Sequence, residues 1–235
     1  MKNWKRHWET FPKNAGTRDY LRQVGKTVNG QPISNKQFDL VLFSIRNALC
    51  LRTDDTVLDL CCGNGLITKQ IAGGARMVTG IDFSKPLINV ASTDQCAENV
   101  QYLRMSVLDI NAKTIMNLPR FTKIYMYEAL QHFAYSDLRI ILRNILSLSC
   151  PTPTIFLGSI PDRKEKWNFY NTNRRRLDYV LRRIRGQEAI GTWWPKERIE
   201  RTCREMNLRS QFIPQDEQLH TAHYRFDVRI SRMDC

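Results

Sequence analysis

The chain has 235 residues, 42% of them apolar, and its 36 Lys+Arg against 23 Asp+Glu give a net charge of +13, which allows one large core and favours an acidic partner such as a phosphate-bearing metabolite, nucleic acid or membrane surface. Residues 1–20 mix charges with Trp4 and Trp8, and no stretch is long and apolar enough to span a bilayer, so neither a secretory signal nor a membrane span is expected, and a cytoplasmic location is. The cysteines at 50, 61, 62, 96, 150, 203 and 235 form no CxxC pair and no His/Cys cluster, which argues against a disulfide framework and a metal site.

Taken in order, residues 1–34 read as an N-terminal cap segment ahead of a core at 35–158, a lid insertion at 159–195 and a C-terminal helix and strand pair at 196–235, all in one domain. Ser34 and Gln37 fit the two ends of a capping box, and Phe38, Val41, Leu42, Ile45 and Leu49 recur at helical spacing, predicting a helix that ends near Leu51. The first core strand is predicted at 56–60, a helix through Leu66, Ile67 and Ile71 stops at Gly73-Gly74, and a second strand at 77–82 leads to Ser84 as an N-cap. Further strands are predicted at 100–105, 123–127 and 154–158. Between the last two, Ser136 is placed to cap a helix whose Leu138, Ile141, Leu142, Ile145 and Leu146 repeat every three or four residues. After the insertion come a helix at 195–206 and two strands at 209–213 and 224–230 able to pair as a hairpin. Alternation of strands with amphipathic helices means an α/β fold with a mostly parallel sheet and helices on both faces.

The loop Asp59-Leu60-Cys61-Cys62-Gly63-Asn64-Gly65 joins the first core strand to a helix, where backbone N–H groups and the positive helix end converge and small residues admit a ligand to the main chain. Asp82 ends the next strand, 23 positions after Asp59, a spacing suited to an acid that receives ribose hydroxyls. A dinucleotide fingerprint would require glycine at 61, 63 and 66, and only Gly63 satisfies it. The pattern instead resembles that of class I S-adenosylmethionine-dependent methyltransferases, an acid followed by xGxGxG, with Asp59, Gly63 and Gly65 in place and Cys61 standing for the first glycine. The Asp-Leu-Cys-Cys-Gly-x-Gly form is also similar to one used by quinone-pathway methyltransferases of bacteria.

Three further segments resemble that family in order and spacing: Gly80-Ile81-Asp82-Phe83-Ser84, Val107-Leu108-Asp109, and Tyr127-Glu128-Ala129-Leu130-Gln131-His132-Phe133. The resemblance implies a Rossmann-like seven-stranded sheet with the last strand antiparallel, and S-adenosylmethionine as cofactor. It implies that Asp82 holds the ribose, that Phe83 lies against the adenine and that Asp109 receives its amino group. Leu108 and Tyr127 belong to the same binding set, and residues 127–133 lie beside the methionine portion and the substrate. Tyr20-Leu21-Arg22-Gln23-Val24-Gly25 would fold over the cofactor.

Displacement at a methyl sulfonium depends mainly on in-line positioning. A hydroxyl or ammonium acceptor must also lose a proton, and His132, on the rim after the fourth core strand, is the candidate base. His220 and His223 flank the terminal strand, and His7 lies in the N-terminal extension. The insertion holds nine Lys/Arg between Arg163 and Arg185 against Glu165 and Asp178, a net +7, interleaved with Trp167, Phe169, Tyr170 and Tyr179. This suits a lid with stacking faces and anion-binding forks, so the expected substrate is an anionic or sugar-like small molecule touched by Tyr20, Trp167, Tyr170, Arg174 and His223. The same composition suits RNA, but Tyr127-Glu128-Ala129-Leu130 is not the Asn/Asp-Pro-Pro-aromatic tetrapeptide of base-amino methylation, and no cysteine lies between Cys96 and Cys150 for carbon methylation. A catalytically silent binding protein is disfavoured by the acids at 59, 82 and 109. Oxygen and nitrogen acceptors both fit, and the sequence leaves the oligomeric state open.

Overall fold

The computed structural model describes residues 4–14, 18–110 and 119–233; Cys235 lies outside them. The N-terminal segment forms α1 (Trp4–Asn14), α2 (Tyr20–Gln23) and a small hairpin of β1 (Thr27–Val28) and β2 (Gln31–Pro32). Helix α3 (Asn35–Leu49) then begins at Ser34, whose hydroxyl accepts from the Gln37 amide, and ends at Cys50 in the left-handed conformation with φ 47°. Only the Ser34 half of the expected box forms, since the Gln37 side chain turns to the C-terminal segment, donating to the Gln218 carbonyl and accepting from the His220 amide.

The core continues through β3 (Thr56–Leu60), α4 (Leu66–Ala72), β4 (Met77–Asp82), α5 (Lys85–Asp94), β5 (Val100–Arg104) and β6 (Phe121–Tyr127). After β6 come a single 3-10 turn at Leu130–His132, α6 (Asp137–Leu148), β7 (Ser149–Pro161), the insertion helices α7 (Lys166–Phe169) and α8 (Asn173–Ile184), α9 (Lys196–Arg204), β8 (Leu208–Pro214) and β9 (Arg225–Arg232). One seven-stranded sheet has the order β5-β4-β3-β6-β7-β9-β8. Parallel pairing joins β5 through β7, and β9 runs antiparallel to both its neighbours.

Alternation along the strands builds the two faces. Leu58 and Leu60 of β3 with Ile124 and Met126 of β6 join α6 and α9 in one core, whereas Val57, Tyr125 and Phe156 pack with Val41, Ile45 and Leu49 of α3 and Ile71 of α4 in the other. Covered on both sides, β3 is buried at all five positions, the near-continuous apolar strand expected of a parallel sheet. Helix α6 buries Leu138, Ile141, Leu142 and Ile145 as its spacing requires.

Two further expectations need correction. Ser136 makes no side-chain cap; Asp137 in the first turn instead fastens the turn before the helix, its Oδ2 accepting from the Ala134 amide at 2.9 Å. Strand β7 is 13 residues long rather than confined to 154–158, because Pro151 and Pro153 interrupt the apolar pattern while the ladder still pairs Phe121 with Ser149 and, past an irregularity, Ile160 with Phe226. Since β3 has β4 on one side and β6 on the other, the loops after β3 and β6 leave the sheet apart and open a crevice at its carboxyl edge.

Candidate active site

The loop that follows β3 alternates into the left-handed region at Cys61 (φ 59°), Gly63 (φ 58°) and Gly65 (φ 77°). A Cβ on Gly63 would stand 2.9 Å from Val24 Cγ1, and one on Gly65 would meet the Tyr102 ring and hydroxyl. Both positions therefore demand glycine for conformation and for space. Asn64 fixes the loop to the N-terminal segment, its Nδ2 donating to the Tyr20 carbonyl (2.8 Å) and to Gln23 Oε1 (2.9 Å).

Asp82, at the end of β4, is buried and accepts from the Gly63 amide at 3.0 Å and the Ser84 amide at 2.8 Å. Burial pushes its carboxyl up to about 6 against the pull of those two amides. One carboxylate thus ties the cofactor loop to the next βα turn while still facing a cavity of about 310 Å³. Cys61, Gly63, Asp82, Phe83, Leu108, Asp109 and Tyr127 line that cavity together, with Met105, Ser106 and Val107 between the acids. A crevice with glycine at its floor, a buried acid on one wall and an aromatic ring beside that acid fits an adenosine-bearing group.

A second cavity of about 280 Å³ adjoins the first. Trp4, Trp8, Val24, Lys26, Tyr127, Glu128 and His132 line both, so they form the partition between the two chambers. Glu128 follows β6 with φ 56°, a strained conformation for a residue with a side chain. Its Oε2 accepts from Lys26 Nζ at 2.5 Å, and Lys26 also lies 4.8 Å from the centroid of the Tyr127 ring. Burial alone would raise the Glu128 carboxyl, but the cations of Lys26 and Arg225 and the hydrogen bond from Lys26 outweigh it and hold it at about 2. His132 packs its ring 4.2 Å from the Trp4 centroid and 5.5 Å from that of Trp8. Helix α1 therefore roofs the partition, secured by Ser84 Oγ donating to the Trp8 carbonyl at 2.7 Å.

Several residues expected at the site stand elsewhere. Asp59 lines neither cavity: it turns to the α4 face, where its Oδ2 accepts from Thr68 Oγ1 and Tyr125 OH, each at 2.6 Å, and burial pushes it up to about 7. Gly65 lines neither and starts α4. Tyr20 holds the loop through its carbonyl while its hydroxyl donates to Asp94, away from both chambers.

The insertion also differs from a lid over the substrate. Trp167 is 45% exposed beside Tyr179 and Lys166, and Arg174 lies on the exposed face of α8 with Leu177 and Ile184 uncovered nearby. Tyr170 is buried in a satellite cluster with Tyr179, Trp193 and Tyr224, and His223 meets Tyr224 edge-on without lining either cavity. From the insertion and the segment after it, Phe169, Ala189 and Ile190 do reach the second chamber, as do His220, Tyr224 and Arg225 from the end of the chain.

Sequence reasoning missed Lys26, and left His7 with Trp4 and Trp8 unplaced although the spacing of these three and Phe11 marks one helical face lining the second chamber. Among the described residues no group of three or more His, Cys, Asp or Glu side chains is arranged to hold a metal, and no helix is long and apolar enough to cross a membrane.

Residues 57–151 match the family described as a methyltransferase domain. A ubiquinone biosynthesis O-methyltransferase of Coxiella burnetii is 33% identical over 106 residues, a match that takes in 44% of this chain and 43% of the relative. The protein of that name from Xanthomonas campestris is similar to the same extent, with 42% of its length covered. Among solved structures, an S-adenosylmethionine-dependent methyltransferase from Anabaena variabilis superposes with TM-score 0.66 at 17% identity over 99% of this chain and 96% of that one. The magnesium protoporphyrin IX methyltransferase of Synechocystis, with S-adenosylhomocysteine bound, gives 0.62 at 13% identity over 98% of both. At such identities these structures speak for the fold, and the matched domain contains the loop, Asp82, Asp109 and the post-β6 segment. Residues 57–151 thus match a methyltransferase-domain family, and the chain as a whole shares the fold of S-adenosylmethionine-dependent methyltransferases.

Proposed function

We propose that the protein transfers a methyl group from S-adenosylmethionine to an oxygen or nitrogen atom of a small molecule held in the second cavity. The observation that carries this reading is the shared partition: the chamber with the glycine loop and Asp82 is separated from a second, aromatic-lined chamber only by side chains that face both. Asp82 would receive the ribose hydroxyls, Phe83 would cover the adenine and Asp109 would take its amino group, while the backbone at Cys61 and Gly63 admits the rest. The bound cofactor supplies a methyl on a sulfonium, which the acceptor lone pair takes in line as the carbon–sulfur bond breaks and its electrons return to sulfur.

The protein's share is positioning and proton removal. His132, on the partition, would take the acceptor proton, with its ring held by tilted contact with Trp4 and edge contact with Trp8. The relatives named O-methyltransferase favour oxygen. A small acceptor is favoured over RNA because the arginines of α8 line neither chamber.

The test is release of S-adenosylhomocysteine from S-adenosylmethionine in the presence of a panel of hydroxylated and amino ring compounds, with bulk tRNA as a parallel substrate. A methylated small molecule is expected, and His132→Asn should lower kcat about 100-fold with S-adenosylhomocysteine affinity kept. Methyl label entering tRNA alone would contradict the reading.

A further inference from the structure

Arg225, the first residue of β9, is 7% exposed and lines the second cavity but not the first. Its Nη1 donates to neutral acceptors, Gln131 Oε1 at 2.6 Å and the Ser159 carbonyl, while its buried Nε makes no hydrogen bond. Among the described residues no carboxylate lies within the 4.0 Å of an ion pair to it. The nearby acids are committed elsewhere. Glu128 bonds Lys26, and Asp227, two residues along β9 and outside the lining, accepts from the Ser159 amide and Gln215 Nε2.

A buried guanidinium that feels the charge of Glu128 but pairs directly with no carboxylate is costly to hold unless a ligand supplies one. The lining charges are Lys26, Arg225 and Glu128, which leave a single positive charge. Burial lowers the His220 pKa, so its ring adds no charge at neutral pH. Trp8, Phe11, Phe169 and Tyr224 supply flat apolar walls.

Resting on the methyl-acceptor reading of this chamber, we propose that the acceptor is a ring-bearing carboxylic acid whose carboxylate pairs with Arg225. Because Arg225 is absent from the partition, the carboxylate is the anchor and not the methylated atom. It holds the molecule so that a second substituent reaches the side of the chamber walled by Tyr127 and His132. A carboxylate matches the fork of the guanidinium and the single charge, whereas a dianionic phosphate would leave excess negative charge beside Glu128.

The test is calorimetry on protein saturated with S-adenosylhomocysteine, using hydroxybenzoates and hydroxycinnamates, each paired with its neutral amide and its phosphate analogue. At least one carboxylate is expected to bind about 10- to 100-fold more tightly than its amide, and Arg225→Lys should erase most of that preference while leaving the amide unchanged. The wild-type comparison stands even if the variant fails to fold. Equal binding of acid and amide, tighter binding of the phosphate, or no binding by any carboxylate to a protein that still takes S-adenosylhomocysteine would overturn the proposal. Repeating the titration without S-adenosylhomocysteine separates the two readings: a protein that binds the acids but not the cofactor refutes the methyltransferase reading and leaves the acid site standing.

Discussion

Asp59 and Asp82 lie on neighbouring parallel strands and both are buried, yet they serve different ends. Asp82 is the last residue of its strand and faces the cavity of about 310 Å³, whereas Asp59, inside β3, points with Val57 to the α3 and α4 face and bonds Thr68 and Tyr125. Because burial raises Asp59 to about 7, the folded protein binds more protons than the unfolded chain between the ordinary aspartate range and that value. Its contribution is then complete at low pH and is lost as pH rises towards 7. Asp59→Asn should leave the melting temperature nearly unchanged below the ordinary aspartate value of 3.8 and raise it by several degrees at pH 8. A thermal melt under the two conditions checks this; an equal loss under both would mean that the ionised form is the one the fold requires. The spacing of Asp59, Gly63 and Gly65 was legible in the sequence, but the direction of the Asp59 side chain follows from strand alternation, which a motif does not record.

At the scale of elements, strands and caps were readable where local chemistry decides them. β3 and β4 are apolar because both sheet faces are covered, and Ser34 and Ser84 accept from the amides three residues on. The partition was not readable, because its members come together from distant segments. Lys26, just before β1, reaches Glu128 after β6, 102 positions away, and in the second chamber, off the partition, Arg225 of β9 likewise reaches Gln131. The one available signal was the repeat of Trp4, His7, Trp8 and Phe11 at helical spacing. The Lys26–Glu128 pair is the clasp between the N-terminal hairpin and the sheet edge. Lys26→Met should destabilise the protein by about 2–3 kcal/mol at pH 7. In the wild type, the contribution of Glu128 is present above its ordinary value of 4.5 and fades as pH falls towards about 2. The gap between wild type and variant in urea unfolding should therefore close on acidification; a gap independent of pH would remove the charge pair from the account.

Across the whole molecule, the basic charge and the chemistry sit in different places. Arg174, Arg175 and Arg176 lie on exposed positions of α8, whereas both chambers are built from the carboxyl edge of the sheet, α1 and the hairpin. The bulk charge of +13 thus says little about either chamber, and under the proposed function the buried Arg225 of β9 is the cation that meets the acceptor. The central claim is that the chamber at the loop after β3 holds S-adenosylmethionine through Asp82. Calorimetric titration of S-adenosylhomocysteine into wild type, Asp82→Asn and Asp59→Asn tests it most directly. The account predicts one saturable site, weakened about 10- to 100-fold in Asp82→Asn and unchanged in Asp59→Asn. Equal affinity in all three proteins, or no binding by the folded wild type, would contradict it.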